Sequence, residues 1–122
     1  MGKKVLLIED EPNIIEAVSF ILSRDGWEVK THSNGHDAME VVRLRAPDLI
    51  ILDAMLPGKS GFEILHDLRE DPNCASLPVL MLTARGQARD REMAEKAGVS
   101  KFMTKPFSNA EMLDAVRELT AT

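Results

Sequence analysis

Asp48-Leu49-Ile50-Ile51-Leu52-Asp53 is the stretch that decides the fold of this chain. An unbroken aliphatic run between two aspartates is typical of a short strand that is buried on both faces of a sheet. Three further apolar runs have the same character and end at Asp10, Thr83 and Lys105. Because parallel strands end at the same edge of a sheet, we expect these polar side chains to meet there.

Segments of helical period alternate with short apolar runs along the whole chain, as in repeated βαβ units. We therefore predict an α/β fold, a doubly wound parallel sheet of five strands with five helices, formed as one domain over residues 1–122. The pattern alone leaves the strand order open. The predicted strands cover residues 4–9, 27–31, 49–53, 79–83 and 101–104.

Capping residues indicate where the helices begin and end. We expect the first helix to be capped by Asp10, to have Pro12 in its first turn and to end at Gly26. Ser33-Asn34-Gly35 is predicted to open the second helix, and the third follows a loop over residues 54–61. The fourth is expected from Ala88 to Ala97, and Ser108 opens the fifth in a capping box.

Composition argues against two classes of partner. Lys and Arg number 15 and Asp and Glu number 20, a net charge of -5, and no basic run offers a track for a phosphodiester backbone. No stretch approaches the ~20 apolar residues of a membrane span. We therefore expect a cytoplasmic protein that binds neither nucleic acid nor membrane directly.

Three carboxylates at one sheet edge require a compensating positive charge. Two unit charges ~4 Å apart repel by about 4 kcal/mol at an effective dielectric constant near 20. A hard cation such as Mg2+, with oxygen ligands, would compensate Glu9, Asp10 and Asp53, and Lys105 is a second source of positive charge. A carboxylate facing a cation-bound phosphodonor can attack phosphorus, and Asp53 is the best candidate because a Gly- and Pro-rich turn follows it.

Each of these residues also has an ordinary structural explanation. Asp10 suits the start of a helix, and Asp53 could cap the loop that follows its strand. Thr83 could satisfy its hydroxyl locally, and Lys105 could be a surface lysine. Only their convergence at one edge favours a functional site.

Four motifs follow one another along the chain: Val5-Leu6-Leu7-Ile8-Glu9-Asp10-Glu11-Pro12, Asp53-Ala54-Met55-Leu56-Pro57-Gly58-Lys59-Ser60-Gly61, Leu82-Thr83-Ala84 and Lys105-Pro106-Phe107. Together they make the chain resemble, over essentially its whole length, the receiver domain of two-component response regulators. The resemblance implies a flavodoxin-like receiver fold with strand order 2-1-3-4-5. It also implies a switch that phosphorylates and dephosphorylates itself, rather than a conventional enzyme.

The resemblance implies a role for each matching position at the centre of the site. Asp53 matches the phosphoryl acceptor. Asp10, Asp53 and the backbone carbonyl of Met55 would ligate Mg2+, with Glu9 assisting, and Glu9 is one methylene longer than the aspartate often found there. Lys105 would pair with the phosphoryl group. The peptide bond between Lys105 and Pro106 would be cis and would aim the lysine at the site.

The resemblance also implies a route from the site to the surface. Thr83 would donate its hydroxyl to a phosphoryl oxygen, and Phe102, at the switch aromatic position, would turn inward behind it. The output face would comprise the fourth helix, fifth strand and fifth helix. Regulators that dimerise through this face usually have acidic residues where this chain has Ser100 and Lys101, which argues against that mode of dimerisation.

The resemblance implies partners as well. A sensor histidine kinase or a histidine phosphotransfer protein would supply the phosphoryl group, and an unidentified output partner or domain would respond. The chain is expected to be a stand-alone receiver or the receiver of a longer regulator, and a monomer or a phosphorylation-dependent dimer.

Met55 and Arg85 are expected to flank the place where water reaches the site and to tune the lifetime of the phosphoryl group.

Two other functions use related chemistry or the same fold. An aspartate-nucleophile phosphatase of the haloacid-dehalogenase type needs a second acidic residue two positions after the nucleophile, where this chain has Met55. In a flavin-binding flavodoxin the first strand leads into a Ser/Thr/Gly-rich phosphate loop. Here it leads into Glu9-Asp10-Glu11-Pro12, which would repel phosphate unless a metal were bound.

Overall fold

Five strands and five helices alternate strictly in the computed structural model, which describes residues 3–84 and 88–120. The strands are β1 (Lys3–Ile8), β2 (Trp27–His32), β3 (Leu49–Asp53), β4 (Val79–Thr83) and β5 (Lys101–Thr104). The helices are α1 (Pro12–Arg24), α2 (Ala38–Arg45), α3 (Gly61–Glu70), α4 (Ala88–Ala97) and α5 (Asn109–Thr120). The predicted bounds of β3, β4, β5 and α4 are confirmed.

All neighbouring strands pair in parallel, in the order β2-β1-β3-β4-β5, which confirms the predicted doubly wound fold. Every residue of β3 and β4 is buried, as expected for central strands covered on both faces. Of the helices in the described ranges, none is long and apolar enough to cross a membrane.

Alternate side chains of the central strands β1, β3 and β4 enter two separate cores. Leu7, Ile51 and Leu82 point to the face covered by α1 and α5, where they join Leu22 and Val116. The intervening side chains lie on the opposite face beneath α2, α3 and α4, and they include Leu6, Ile8, Ile50, Leu52 and Met81. A one-residue shift of any strand would exchange the two sets, so this alternation determines the register.

The first two helices begin later than the sequence predicted. Glu11, not Asp10, is the N-cap of α1, because Glu9 already accepts hydrogen bonds from the N–H groups of Asp10 and Glu11. The N-cap of α2 is Asp37 rather than a residue of 33–35. A side-chain turn in which Asn34 Oδ1 accepts from the His36 N–H at 2.7 Å delays this helix.

Capping boxes begin two other helices. Ser108 and Glu111 exchange hydrogen bonds of 2.9 and 3.1 Å at the start of α5, as predicted. Ser60 and Glu63 form the same motif at α3, so this helix starts at Gly61, inside the predicted loop. The cap of α3 matters for the site because it fixes the end of the loop that leaves Asp53.

One arginine joins three segments at the opposite end of α3. Arg69 donates to the carbonyls of Leu77 and Gly98, both at 2.8 Å. Longer bonds run to the Cys74 carbonyl at 3.2 Å and to the Ser100 hydroxyl at 3.3 Å. The loops that lead into β4 and β5 are therefore anchored to the same side chain.

Candidate functional site

Strand register brings the predicted site residues to one edge of the sheet. Ile8 of β1 lies beside Leu52 of β3, so the next residues of these strands, Glu9 and Asp53, emerge side by side. Thr83 ends β4 and pairs with Thr104, directly before Lys105. The convergence of these side chains, predicted from the strand ends, is confirmed in the structure.

Three carboxylates form a compact acidic cluster at this edge. One carboxylate oxygen from each of Glu9, Asp10 and Asp53 lies within 4.8 Å of the others. Glu9 and Asp53 are buried, whereas Asp10 is exposed and leaves one side of the cluster open to water. Such a set of oxygen donors, open on one side, suits a hard divalent cation that keeps part of its water shell.

The electrostatics of Asp53 reflect this crowding. Burial, followed by hydrogen bonding to Glu9 and the charge of that neighbour, raises the pKa of Asp53 to about 7. The Met55 N–H, which donates to Asp53 Oδ1 at 3.2 Å, and the charge of Lys105 act in the opposite direction. In the absence of a cation, Asp53 therefore ionises only near neutral pH.

Lys105 provides the positive charge at the centre of the site. Its side chain is 7% exposed, and Nζ lies 2.9 Å from Glu11 Oε1, 3.1 Å from Glu9 Oε1 and 3.5 Å from Asp53 Oδ1. Burial lowers the pKa of Lys105, but its contacts with Glu11, Glu9 and Asp53 outweigh burial and raise it overall. The peptide bond to Pro106 is cis, as predicted.

The loop after Asp53 is held close against the site. The Gly61 N–H donates to the Ala54 carbonyl at 2.9 Å, which closes residues 54–61 into a compact turn. A Cβ on Gly61 would lie 2.3 Å from the Asp53 carbonyl oxygen, so only glycine fits there. Met55 is 60% exposed at the rim of the site, and Arg85, its predicted neighbour on the path of water, lies outside the described residues.

Thr83 and Phe102, the two predicted switch residues, are both buried. Thr83 is 2% exposed and Phe102 is 8% exposed, so the aromatic ring is packed inward in this structure. The guanidinium carbon of Arg91, on α4, lies 5.0 Å from the centre of the Phe102 ring. This cation–π contact links α4 to β5.

Glu11 is a member of the site that sequence reasoning missed. In the sequence, Glu9-Asp10-Glu11 has the pattern of a metal-binding pair followed by a residue that merely favours the start of a helix. The structure places Glu11 in contact with Lys105, from a loop distant in sequence. The sequence signal that could have indicated Glu11 as a site residue is its position as a third acidic residue directly after Glu9 and Asp10.

Comparison with known proteins agrees with this geometry. Residues 5–117 match the family model described as the response regulator receiver domain. The probable transcriptional regulatory protein TcrX of Mycobacterium tuberculosis is 42% identical over 116 residues, which cover 94% of this chain and 48% of TcrX. The chain spans about half the length of the curated relatives it matches.

Two solved structures share the whole fold. The chemotaxis protein CheY4 of Vibrio cholerae superposes with a TM-score of 0.91 at 28% identity, covering 98% of this chain and 99% of that one. The receiver domain of sensor histidine kinase PA1611 from Pseudomonas aeruginosa gives a TM-score of 0.91 at 27% identity, with both chains fully covered. That protein has a magnesium ion coordinated in its active-site cleft. The chain described here therefore belongs to the response regulator receiver domain family of two-component signalling systems.

Proposed function

We propose that this chain is a phosphorylation-activated switch of a phosphorelay, with a receiver domain that extends over residues 1–122 and accepts a phosphoryl group on Asp53. The main support is the buried pair formed by Asp53 Oδ1 and Lys105 Nζ, 3.5 Å apart, beside two further carboxylates. A nucleophile, a metal-compatible cluster and a fixed ammonium at one edge are the parts that phosphoryl transfer to a carboxylate requires.

Mg2+ is the cofactor in this proposal. Asp10, Asp53 and the backbone carbonyl of Met55 would hold it, with Glu9 assisting. The crowded carboxylates and the raised pKa of Asp53 support a bound cation, because a divalent ion would relieve both. When bound, it would neutralise charge on the phosphoryl oxygens and keep Asp53 ionised.

Transfer would proceed by attack of an Asp53 oxygen on phosphorus. A P–O bond forms as the P–N bond of a phosphohistidine breaks, and the imidazole leaves with the bonding electrons. Lys105 would pair with the transferred phosphoryl oxygens and Thr83 would donate its hydroxyl to one of them. Water would later cleave the acyl phosphate, so the chain acts once on itself rather than turning over a substrate.

The readout would pass through Thr83 and Phe102 to the face formed by α4, β5 and α5. Phosphorylation adds charge and acceptor oxygens beside Thr83, and a movement of this residue would alter the packing of Phe102 under Arg91. On the same face Lys101 Nζ contacts Glu118 Oε2 at 2.8 Å, within the chain. Because Glu118 is paired with Lys101 inside the chain, its carboxylate is not available for an ion pair with a second copy.

A sensor histidine kinase or a histidine phosphotransfer protein is the proposed donor of the phosphoryl group. A separate partner protein or a further domain is proposed to carry out the output response. The curated relatives are transcriptional regulators about twice as long as this chain, which supports an output outside these residues. We propose a cytoplasmic protein, a monomer or a phosphorylation-dependent dimer, without direct contact to nucleic acid or membrane through this domain. Family membership leaves the haloacid-dehalogenase alternative without support.

Intact mass tests this proposal directly. Wild type incubated with a small phosphodonor and Mg2+ should gain one phosphoryl group per chain, and a chelator should abolish the gain. Asp53→Asn should gain none. One phosphoryl group on Asp53→Asn, or none on well-folded wild type, would overturn the proposal. Size exclusion of the same samples reports whether phosphorylation changes assembly.

A further inference from the structure

Glu11 is placed at a helix cap but is engaged elsewhere. An N-cap side chain ordinarily accepts a hydrogen bond from a backbone N–H of the first helical turn. Glu11 makes no such bond, and its carboxylate contacts Lys105 Nζ at 2.9 Å, the shortest of the three contacts that the ammonium makes with carboxylates. Its backbone is fixed independently, because its N–H donates to Glu9 Oε2 at 3.1 Å.

The three carboxylates around Lys105 are not equally able to move. The Glu9 side chain is 0% exposed and that of Asp53 is 3% exposed, so both carboxylates are enclosed by other protein atoms. The Glu11 side chain is 55% exposed. Its carboxylate can turn into water, where hydration replaces the lost contact with Lys105.

An ammonium group has three N–H donors, and three carboxylates surround this one. A phosphoryl group that arrives at Asp53 brings roughly one and a half to two negative charges and needs donors of its own. Its oxygens then compete with the carboxylates that already contact Lys105. The contact with Glu11 opens most easily, because its half-exposed carboxylate regains hydration from water.

We propose that Glu11 is a positioning residue that holds Lys105 in the resting site and competes with the incoming phosphoryl group for it. This inference rests on the proposed function, since it concerns the same reaction at Asp53. Glu11 would restrain phosphorylation by a contact that must break before Lys105 can pair fully with the phosphoryl oxygens. Its role is separate from metal binding, which Glu9, Asp10 and Asp53 support.

The test compares Glu11→Gln with Glu16→Gln. Glu16 is an exposed glutamate of α1, the helix that Glu11 precedes as N-cap, so its substitution removes the same charge from a nearby position. We expect Glu11→Gln to bind beryllofluoride, an analogue of the phosphoryl group, about two- to fivefold more tightly, as for loss of one partly exposed ion pair. Phosphate incorporation from a small donor in Mg2+ should accelerate by a similar factor. Glu16→Gln should stay near wild type in both measurements.

A double-mutant cycle separates this role from a general effect on folding. In a Lys105→Met background, Glu11→Gln should change beryllofluoride affinity no more than Glu16→Gln does. If Glu11→Gln and Glu16→Gln match in the wild-type background, or if the Glu11 effect survives Lys105→Met, the inference is wrong. Absence of any phosphate on wild type would instead refute the proposed function itself.

Discussion

Asp53 and Lys105 lie in contact at the edge of the sheet. Oδ1 of Asp53 and Nζ of Lys105 are 3.5 Å apart and both side chains are buried, although they lie at the ends of two strands that are separated by β4. The proposed nucleophile and the cation that would pair with its product are therefore preorganised by the sheet. Binding of a phosphodonor would not have to assemble them.

Asp53→Asn should stabilise the metal-free protein at pH 8, and this gain should shrink as the pH falls toward 4. The pKa of Asp53 is about 7 in the fold, against 3.8 as the ordinary value, so between these values the folded state holds a proton that the unfolded state has lost. Its contribution to the free energy of unfolding is full below pH 3.8 and is lost as the pH rises through about 7. Urea unfolding in chelator at several pH values measures the difference between the two proteins.

The amide of the variant changes hydrogen bonding at every pH, so only the pH-dependent part of the difference tests this claim. A constant difference from pH 5 to pH 8 would mean that Asp53 ionises normally in the fold.

Mg2+ should raise the free energy of unfolding of wild type. A ligand that binds only the folded state at 100 times its dissociation constant adds about 2.7 kcal/mol. Asp10→Asn and Glu9→Gln each remove one carboxylate of the cluster and should weaken the effect. Thermal unfolding across a Mg2+ titration measures it, with Glu40→Gln, an exposed charge on α2, as the control. Equal stabilisation of all four proteins would place the ion elsewhere.

Gly61→Ala should destabilise the chain by about 2–3 kcal/mol, because its Cβ would lie 2.3 Å from the Asp53 carbonyl oxygen and 2.8 Å from Ala54 Cα. Gly26→Ala is the matched control. Gly26 has φ +92°, but no heavy atom lies within 4 Å of the position that a methyl group would take, so alanine there meets only backbone strain of about 1–2 kcal/mol. Chemical denaturation should rank the two variants in this order, and a smaller loss for Gly61→Ala would contradict the close packing of the loop.

Arg69→Ala should lower the free energy of unfolding by about 2–4 kcal/mol, since it leaves several backbone carbonyls without their donor. Arg43→Ala is the control: its exposed pair with Asp71, at 3.2 Å, is expected to contribute about 0–1 kcal/mol. Similar losses in both variants, measured by urea unfolding, would show that Arg69 does not anchor the loops as described.

Much of the fold follows from local pattern. The central strands are short apolar runs that start directly after Asp48 or Pro78 and end at Asp53 or Thr83, so β3 and β4 could be placed from sequence. Side-chain turns that compete with a helix are less visible, and for that reason the start of α2 was predicted too early. Strand order needed the family resemblance, because several orders bury the same apolar faces.

The candidate site also has features that the sequence predicts and features that it does not. Parallel strand ends must meet, so the convergence of Asp53, Thr83 and Lys105 was predictable. The contact between Glu11 and Lys105 could not be predicted from the sequence. It depends on the direction of the Glu11 side chain, and the Glu9 carboxylate accepts the hydrogen bonds from the backbone N–H groups of Asp10 and Glu11. The hydrogen bonds of Arg69 likewise join loops that no local pattern connects.

Mapping the phosphorylated residue tests the central claim most directly. Wild type would be phosphorylated by a small donor in Mg2+, the acyl phosphate trapped by borohydride reduction, and the peptides analysed by mass spectrometry. The account predicts modification of Asp53 alone. Modification of Asp10 or Glu9 with Asp53 untouched would contradict it.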